Sequence, residues 1–156
     1  MSTTFGSSSV LSTTLKTCLQ SLEHLNYPDY EVILVDDGST DATPSIAALF
    51  PGIVSLRHPK NLGLSAARNT GIEAATGTIV AFTDSDCIPA PDWIEQGVRA
   101  FVLGSPQTLL VAGGIALEAR SAKRPTVPEQ LDQILGFDQA RTVRRAGYGV
   151  TANLWI

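Results

Sequence analysis

Cysteine and histidine are scarce in this chain of 156 residues, which narrows the kinds of site it can contain. Cys18 and Cys87 are too few for a disulfide framework, and they do not have the spacing of metal ligands. We therefore expect a reducing compartment and predict a cytoplasmic protein. His24 and His58 stand alone in the sequence, so each is interpreted as a surface or structural residue.

Long apolar runs are also lacking. No run approaches the roughly 18 residues that a membrane span needs, and residues 1–9 lack the basic and apolar regions of a signal peptide. Any membrane association is therefore expected only through segments outside this chain. The net charge of −4 gives no reason to expect a nucleic acid as a partner. The basic residues of the last third are interpreted as a solvated surface, with a phosphate-facing or acceptor-facing role as the alternative.

Short β-branched apolar runs alternate with helix-like segments along the chain. The runs are near-continuous, which is typical of strands buried on both faces of a parallel sheet. The predicted strands cover residues 31–35, 53–56, 78–83 and 108–117. The predicted helices cover residues 14–25, 43–50, 64–75 and 91–103. This alternation predicts an α/β doubly wound domain.

The regular pattern loosens after residue 118. Residues 119–128 are interpreted as a loop, residues 129–139 as a weak helix and residues 148–156 as a possible strand. The change in pattern predicts a boundary near residue 118.

Two acidic turns directly follow predicted strands. Asp36 and Asp37 come after residues 31–35, and Asp84 and Asp86 come after residues 78–83. In open sheets of this kind, ligands collect at the carboxyl ends of the strands. Asp84 and Asp86 could converge on Mg²⁺ or Mn²⁺, which prefers oxygen ligands and is often held by carboxylates together with substrate phosphates. The alternative is an ordinary turn with Asx-type backbone bonds.

The first acidic turn carries the same ambiguity. A carboxylate at the end of the strand could accept hydrogen bonds from a nucleobase or a ribose. The structural alternative is a strand-to-helix turn, in which Gly38 supplies an unusual backbone angle and Asp41 or Thr43 caps the next helix. Both interpretations can hold together, with different residues of the turn doing each task.

A stretch of small residues follows between the two turns. Ala67 and Gly71 give the helix over residues 64–75 a face that could sit close to the sheet. Arg68, near the start of this helix, could reach a phosphate or form a structural salt bridge with a turn aspartate. The stretch does not have the glycine spacing of a dinucleotide fingerprint.

Taken in order, these segments resemble the family 2 glycosyltransferases. The matching motifs are LKTCLQSL (residues 15–22), VDDGSTD (residues 35–41), NLGLSAARNTG (residues 61–71), FTDSDC (residues 82–87) and PDW (residues 91–93). The resemblance runs from about Leu15 to the end of the chain. So many motifs in the same order make it specific.

The resemblance implies a GT-A fold, with a Rossmann-like, mostly parallel sheet flanked by helices. It implies inverting transfer of a sugar from a nucleotide-diphosphate sugar, expected to be a UDP-sugar, with Mg²⁺ or Mn²⁺. By position, Asp36 and Asp37 lie in the turn that holds the nucleoside, while Asp84 faces the ribose or sugar and Asp86 the metal–diphosphate. Arg68 completes the expected donor-binding set. The acceptor, whether glycan, lipid or protein, is not identified by the resemblance.

The sequence departs from the family pattern at both ends. Family members begin with an apolar strand, whereas residues 1–14 contain only one adjacent apolar pair, Val10 and Leu11. The family's catalytic base lies beyond a segment that resembles residues 147–155, so no residue here is assigned as the base. The resemblance therefore implies three parts, which are a non-matching, disordered start over residues 1–14, a nucleotide-sugar-binding domain over residues 15–118 and the truncated start of an acceptor-side portion over residues 119–156. The expected fold is an incomplete GT-A domain, and the alternative function is a non-catalytic nucleotide-sugar-binding fragment.

Overall fold

The computed structural model describes residues 2–3, 9–117, 126–127, 130, 138–146 and 148–156. Helices and strands alternate along the described part of the chain. The helices are α1 (Ser9–Glu23), α2 (Thr43–Ala47), α3 (Leu64–Ala74), α4 (Trp93–Leu103) and α5 (Gln139–Ala146). The strands are β1 (Ser2–Thr3), β2 (Ile33–Asp36), β3 (Val54–Arg57), β4 (Ala81–Thr83), β5 (Val111–Ala112) and β6 (Asn153–Trp155).

These strands form one sheet, in the order β3-β2-β1-β4-β6-β5. The first four strands of that order are parallel to their neighbours, and β6 runs antiparallel to both β4 and β5. The sheet is therefore mostly parallel, as the α/β prediction required. Because β1 lies between β2 and β4 and is parallel to both, the carboxyl ends of those two flanking strands lie at the same edge of the sheet.

Helices cover both faces of the sheet. Strand β2 contributes apolar side chains to both faces, because successive side chains of a strand point to opposite sides. Leu34 packs in the larger core cluster with α1 and α4. Ile33 and Val35 face the other way and pack with Ala67 of α3. Ala67 is fully buried and Gly71 is buried, so the prediction of a small-residue helix face close to the sheet is confirmed.

The amino-terminal helix supplies much of the larger core. Leu15, Leu19 and Leu22 recur at helical spacing and are each only 1% exposed. Burying each side chain contributes about 1.5–3 kcal/mol relative to leaving it in water. None of the helices in the described part of the chain is long and apolar enough to cross a membrane.

The observed elements match the predicted ones in order, with three differences toward the ends of the chain. Helix α1 begins at Ser9 rather than at residue 14, and Ser2–Thr3 form a short central strand in the region expected to be disordered. Helix α5 was not predicted, because its arginine-rich sequence has little apolar character. The loop predicted over residues 119–128 and the helix predicted over 129–139 lie largely outside the described residues.

Candidate functional site

Both acidic turns lie at the carboxyl edge of the sheet. Asp36 is the last residue of β2, and Asp84 follows directly on Thr83, the last residue of β4. Strand β1 separates these two strands and pairs with each. The topology therefore brings two sequence motifs, 48 positions apart in the printed sequence, to the same edge of the sheet, one strand apart.

The second turn leaves its carboxylates available for a ligand. Its own main chain closes the turn, since the Cys87 N–H donates to the Asp84 carbonyl at 3.0 Å, and the Cys18 thiol lies 3.7 Å from that carbonyl. Among the described residues, neither the Asp84 nor the Asp86 carboxylate accepts a main-chain N–H. Asp86 is exposed and Asp84 is half-buried. The Asx-type alternative is therefore not the arrangement that this turn adopts.

Three charged groups influence one another at this turn. Partial burial and the neighbouring Asp86 carboxylate raise the pKa of Asp84, while the Arg68 guanidinium opposes the rise. Arg68 is thus close enough to Asp84 to affect its pKa, although no ion pair joins these two side chains among the described residues. Its guanidinium also donates to the Thr151 hydroxyl, which connects α3 to the loop before β6.

The donor set of this turn fits a hard divalent cation. Among the described residues there is no group of three or more His, Cys, Asp or Glu side chains that could hold a metal by itself. Mg²⁺ is commonly held by only one or two carboxylates, with substrate phosphates and water completing its coordination. Asp84 and Asp86 can supply that number of oxygen ligands, and their mutual repulsion would be relieved by a bound cation.

In the first turn, Asp36 is a buried residue that organises the end of β2. Its Oδ1 accepts the Ser39 N–H at 2.7 Å, and its Oδ2 lies 3.3 Å from Nε of Arg57. Arg57 also donates to the Ser39 carbonyl at 2.7 Å. The contact between Arg57 and Oδ2 is an ion pair without hydrogen-bond geometry, so Oδ2 is buried with no hydrogen-bond partner among the described residues.

Asp37 holds the loop that leads into α3. Its Oδ1 accepts the Leu62 N–H at 2.9 Å and lies 2.6 Å from Nδ1 of His58, and its Oδ2 accepts the Gly63 N–H at 2.7 Å. Burial raises the pKa of Asp37, but these hydrogen bonds outweigh burial and leave its pKa below the ordinary value. Most of the hydrogen-bonding capacity of this carboxylate is thus used within the protein.

His58 extends this network. Its second ring nitrogen, Nε2, lies 2.9 Å from the Thr70 hydroxyl of α3. The structural interpretation of His58 is confirmed, although nothing in the sequence indicated its pairing with Asp37. The partners lie 21 positions apart, and only the parallel pairing of β2 with β3 brings them together.

Gly38 supplies the unusual backbone angle of the first acidic turn. Its φ of +74° lies in the left-handed region, and a Cβ here would come within 2.5 Å of the Lys60 main chain. Helix α2 begins five residues later, where Asp41 accepts the Thr43 N–H at 3.0 Å. The expected special glycine is therefore observed, whereas the expected capping by Asp41 or Thr43 is wrong, because Ala42 is the N-cap residue of α2 and no side chain caps the helix.

Two polar side chains, those of Asn153 and Gln139, connect the final strand, β6, to α4 and to the segment after β5. Asn153 accepts the indole N–H of Trp93 at 2.8 Å, and the Trp93 and Trp155 ring centroids are 4.6 Å apart. Gln139 is buried and donates to the carbonyls of Gly113 and Asn153. Sequence reasoning gave these residues no role, since an isolated amide side chain carries no recognisable pattern.

The comparisons with known proteins agree with this fold. The model of the family "Glycosyl transferase family 2" matches residues 4–126, which is most of the chain. The chain belongs to glycosyltransferase family 2. The match begins ahead of residue 15, where the resemblance was expected to start.

Relatives of this family cover different shares of the chain. Glycosyltransferase AglE of Haloferax volcanii is 32% identical over 148 residues, which are 91% of this chain and 47% of AglE. The putative glycosyltransferase EpsH of Bacillus subtilis is 46% identical over 90 residues, or 56% of this chain and 26% of EpsH. The chain therefore spans about half, or less, of the length of these relatives.

Among solved structures, the mannosyltransferase PcManGT of Pyrobaculum calidifontis, in complex with GDP-Man and Mn²⁺, is similar to this chain. Its TM-score is 0.63 at 27% identity, and the match covers 74% of this chain and 34% of PcManGT. Together with the family match, this similarity establishes the GT-A fold that the sequence predicted.

Proposed function

We propose that this chain forms the donor-binding part of an inverting glycosyltransferase. The donor is a nucleotide-diphosphate sugar, expected to be a UDP-sugar, and the acceptor is a hydroxyl group of a glycan, lipid or protein. The observation that carries the proposal is the pair of available carboxylates, Asp84 and Asp86, beside Arg68 at the carboxyl edge of the sheet. Family membership supports sugar transfer as the reaction class.

Each residue of this site has a proposed task. Asp86 is exposed and would bind Mg²⁺ or Mn²⁺, with Asp84 as a second ligand or as a contact to the ribose or sugar. Arg68 would pair with the diphosphate, because a guanidinium can form two parallel hydrogen bonds to phosphate oxygens. Its hydrogen bond to Thr151 would hold it in place for that contact.

The divalent cation, when bound, supplies Lewis-acid stabilisation of the charge on the diphosphate leaving group. The residues of the first turn would act at the other end of the donor. Asp36 and Asp37 shape the turn proposed to receive the nucleoside, with one of them in contact with the base. Asp37 would do so through the capacity left on its Oδ2, since Gly63 is the one protein donor to that oxygen among the described residues.

Inversion requires a general base on the acceptor hydroxyl, on the face opposite the leaving group. No described residue is assigned to that task. The alternative function is a nucleotide-sugar-binding unit that is not catalytic by itself. The two candidates share the donor site and differ in turnover.

Calorimetric titration separates these possibilities from a purely structural role of the site. We expect UDP to bind the chain with Mn²⁺ present and to bind far more weakly after chelation with EDTA. GDP under the same conditions tests the choice of nucleotide, and tighter binding of GDP would overturn the UDP assignment. The donor-site proposal fails if neither nucleotide shows metal-dependent binding.

Turnover then distinguishes the enzyme from the binding unit. Release of UDP from UDP-sugars, measured with Mn²⁺ and with mixed glycan or lipid acceptors, supports the catalytic proposal. Metal-dependent donor binding without release, in both the presence and the absence of acceptors, favours the binding unit.

A further inference from the structure

Asp37 and His58 form a largely buried pair in the turn proposed to receive the nucleoside. Their side chains are 2% and 12% exposed, and Oδ1 of Asp37 lies 2.6 Å from Nδ1 of His58. Alternate residues of a strand face the same way, so Asp37 continues the face of β2 on which Ile33 and Val35 pack against α3. The pair therefore lies on the side of the sheet covered by the helix that carries Arg68.

His58 is the hydrogen-bond donor in this pair. Burial raises the pKa of Asp37, but its hydrogen bonds outweigh burial and hold that pKa below the ordinary value. The carboxylate is therefore ionised at neutral pH and can only accept hydrogen bonds, so Nδ1 of His58 carries the hydrogen. The other ring nitrogen, Nε2, lies 2.9 Å from the Thr70 hydroxyl of α3, and this contact fixes the orientation of the ring.

The protein donors are divided unequally between the two oxygens of the Asp37 carboxylate. Oδ1 accepts the Leu62 N–H at 2.9 Å and the Nδ1–H of His58. Oδ2 accepts the Gly63 N–H at 2.7 Å and has no second donor among the described residues. Because a carboxylate oxygen has two lone pairs, Oδ1 is saturated and Oδ2 has one acceptor position left. Without His58, each oxygen would have one position left.

The number of free acceptor positions distinguishes one nucleobase from another. Uracil has a single N–H donor, at N3, which lies between two carbonyl groups. Guanine has two adjacent donors, N1–H and the N2 amino group, and these bind a carboxylate in parallel only when both of its oxygens can accept. With Oδ1 saturated, guanine would keep one donor unpaired beside a buried carboxylate, and an unpaired buried donor weakens binding.

We infer that His58 is a positioning residue that sets the nucleotide specificity of the donor site, because it saturates Oδ1 of Asp37 and so favours uracil over guanine. The inference rests on the proposed function, in which Asp37 is in contact with the base. It adds a residue that does not touch the donor and yet decides which nucleotide binds. Thr70 supports this role by holding the imidazole ring in place.

Calorimetric titration with UDP and with GDP, each in the presence of Mn²⁺, tests the inference. We expect the wild type to bind UDP about tenfold more tightly than GDP, which is the effect of about one hydrogen bond. His58→Leu frees Oδ1, so the preference should fall to about twofold or less. His58→Asn retains an N–H that can replace Nδ1–H and should keep the preference. His24→Leu, which removes an exposed histidine just after α1, is the control and should also keep it.

Inorganic pyrophosphate with Mn²⁺ separates nucleotide specificity from a general effect on the site. Pyrophosphate has no base, so His58→Leu should bind it as tightly as the wild type does. An equal loss of affinity for pyrophosphate and UDP in this variant would show that His58 has only a structural role, and would overturn the inference.

The ¹⁵N spectrum of the imidazole ring in the wild type tests the geometry without a variant or a ligand. We expect Nδ1 of His58 to carry a hydrogen at neutral pH, and an unprotonated Nδ1 would overturn the inference. So would tighter binding of GDP than of UDP by the wild type, or an unchanged preference in His58→Leu.

Failure of the proposed function has a different signature. If neither the two nucleotides nor pyrophosphate binds with Mn²⁺, the proposed function fails and the role of His58 fails with it. If they bind and His58→Leu leaves the preference for UDP unchanged, only the role of His58 is overturned.

Discussion

At the scale of single residues, the aspartates of the two turns differ in what they are free to do. Asp37 is buried and accepts two main-chain N–H groups, whereas Asp86 is exposed and accepts none among the described residues. The same type of side chain thus stabilises the fold after β2, in Asp37, and is available to a ligand after β4, in Asp86. The difference can be tested by measuring ligand binding and stability for variants of these aspartates.

Asp86→Asn should weaken metal-dependent UDP binding by at least about tenfold, since even mutation of groups that orient metal ligands costs 10–100-fold. Its thermal stability should change little, because the side chain is exposed and the turn is closed by its main chain. Calorimetric titration and a melting curve on the same preparation measure the two effects. Glu23→Gln, which removes an exposed carboxylate at the end of α1, serves as the control. Equal losses of stability and binding in Asp86→Asn would show that the turn is structural.

Asp37→Asn should instead lower the free energy of unfolding by about 2 kcal/mol, because it weakens buried, charge-assisted hydrogen bonds. Since the folded-state pKa of Asp37 is lowered, its stabilisation is present above the unfolded-state pKa, about 3.9. That stabilisation is lost as the pH falls through the lower, folded-state pKa. Urea unfolding of both proteins at neutral and strongly acidic pH should show the gap between them narrowing at acidic pH. A gap that is absent at neutral pH would contradict the assignment.

At the scale of secondary-structure elements, the connection between β2 and α2 depends on close approach to the loop before α3. Gly38 is the point of contact, and both its backbone conformation and the nearby Lys60 main chain exclude a side chain. The two loops are further joined by Asp37. This region therefore behaves as one structural unit, although its parts are separated in the sequence.

Gly38→Ala should destabilise the protein by about 2 kcal/mol or more, since left-handed backbone alone costs 1–2 kcal/mol for other residues and the new Cβ would also meet main-chain atoms. Gly52→Ala is the matched control, because Gly52 does not have a positive φ and no atom lies within 4 Å of a Cβ added there. Its stability should stay within about 0.5 kcal/mol of the wild type. Urea unfolding measures both, and similar values for the two variants would refute the close-approach explanation.

At the scale of the whole molecule, the central position of β1 determines where the site is. By pairing in parallel with both β2 and β4, it places the two acidic turns at the same edge of the sheet, one strand apart. The division of the chain into parts ending at residues 14 and 118 remains a prediction. The helix from Ser9 and the pairing of Ser2–Thr3 differ from the expected disordered start.

Donor binding should also stabilise the whole domain. A ligand at 100 times its Kd adds about 2.7 kcal/mol to the free energy of unfolding, which raises the Tm of a chain of this size by about 5–10 °C. Thermal unfolding with UDP and Mn²⁺, compared with UDP and EDTA, measures this rise. Asp86→Asn should lose the metal-dependent part of it, and an unchanged rise in that variant would contradict the assignment of the metal site.

The sequence alone determined the α/β class, the order of most elements and the family, because strand burial and turn chemistry leave local patterns. It also predicts that Asp36, Asp37, Arg68, Asp84 and Asp86 belong to one donor site, and this assignment stays a prediction. It missed α5, whose arginine-rich sequence hides the helix, and the short β1, whose polar residues do not resemble a central strand. It gave no sign of the Thr151 and Asn153 contacts.

Only the tertiary structure decided which candidate residues make contacts within the protein and which are available to a ligand. The pairing of Asp37 with His58, and of Arg68 with Thr151, joins positions far apart in the chain, and nothing local in either residue indicates its partner. Sequence patterns report the surroundings that neighbouring residues create along one strand or helix. Which carboxylate accepts hydrogen bonds inside the protein, and which stays available to a ligand, depends on strands that come together only when the sheet forms.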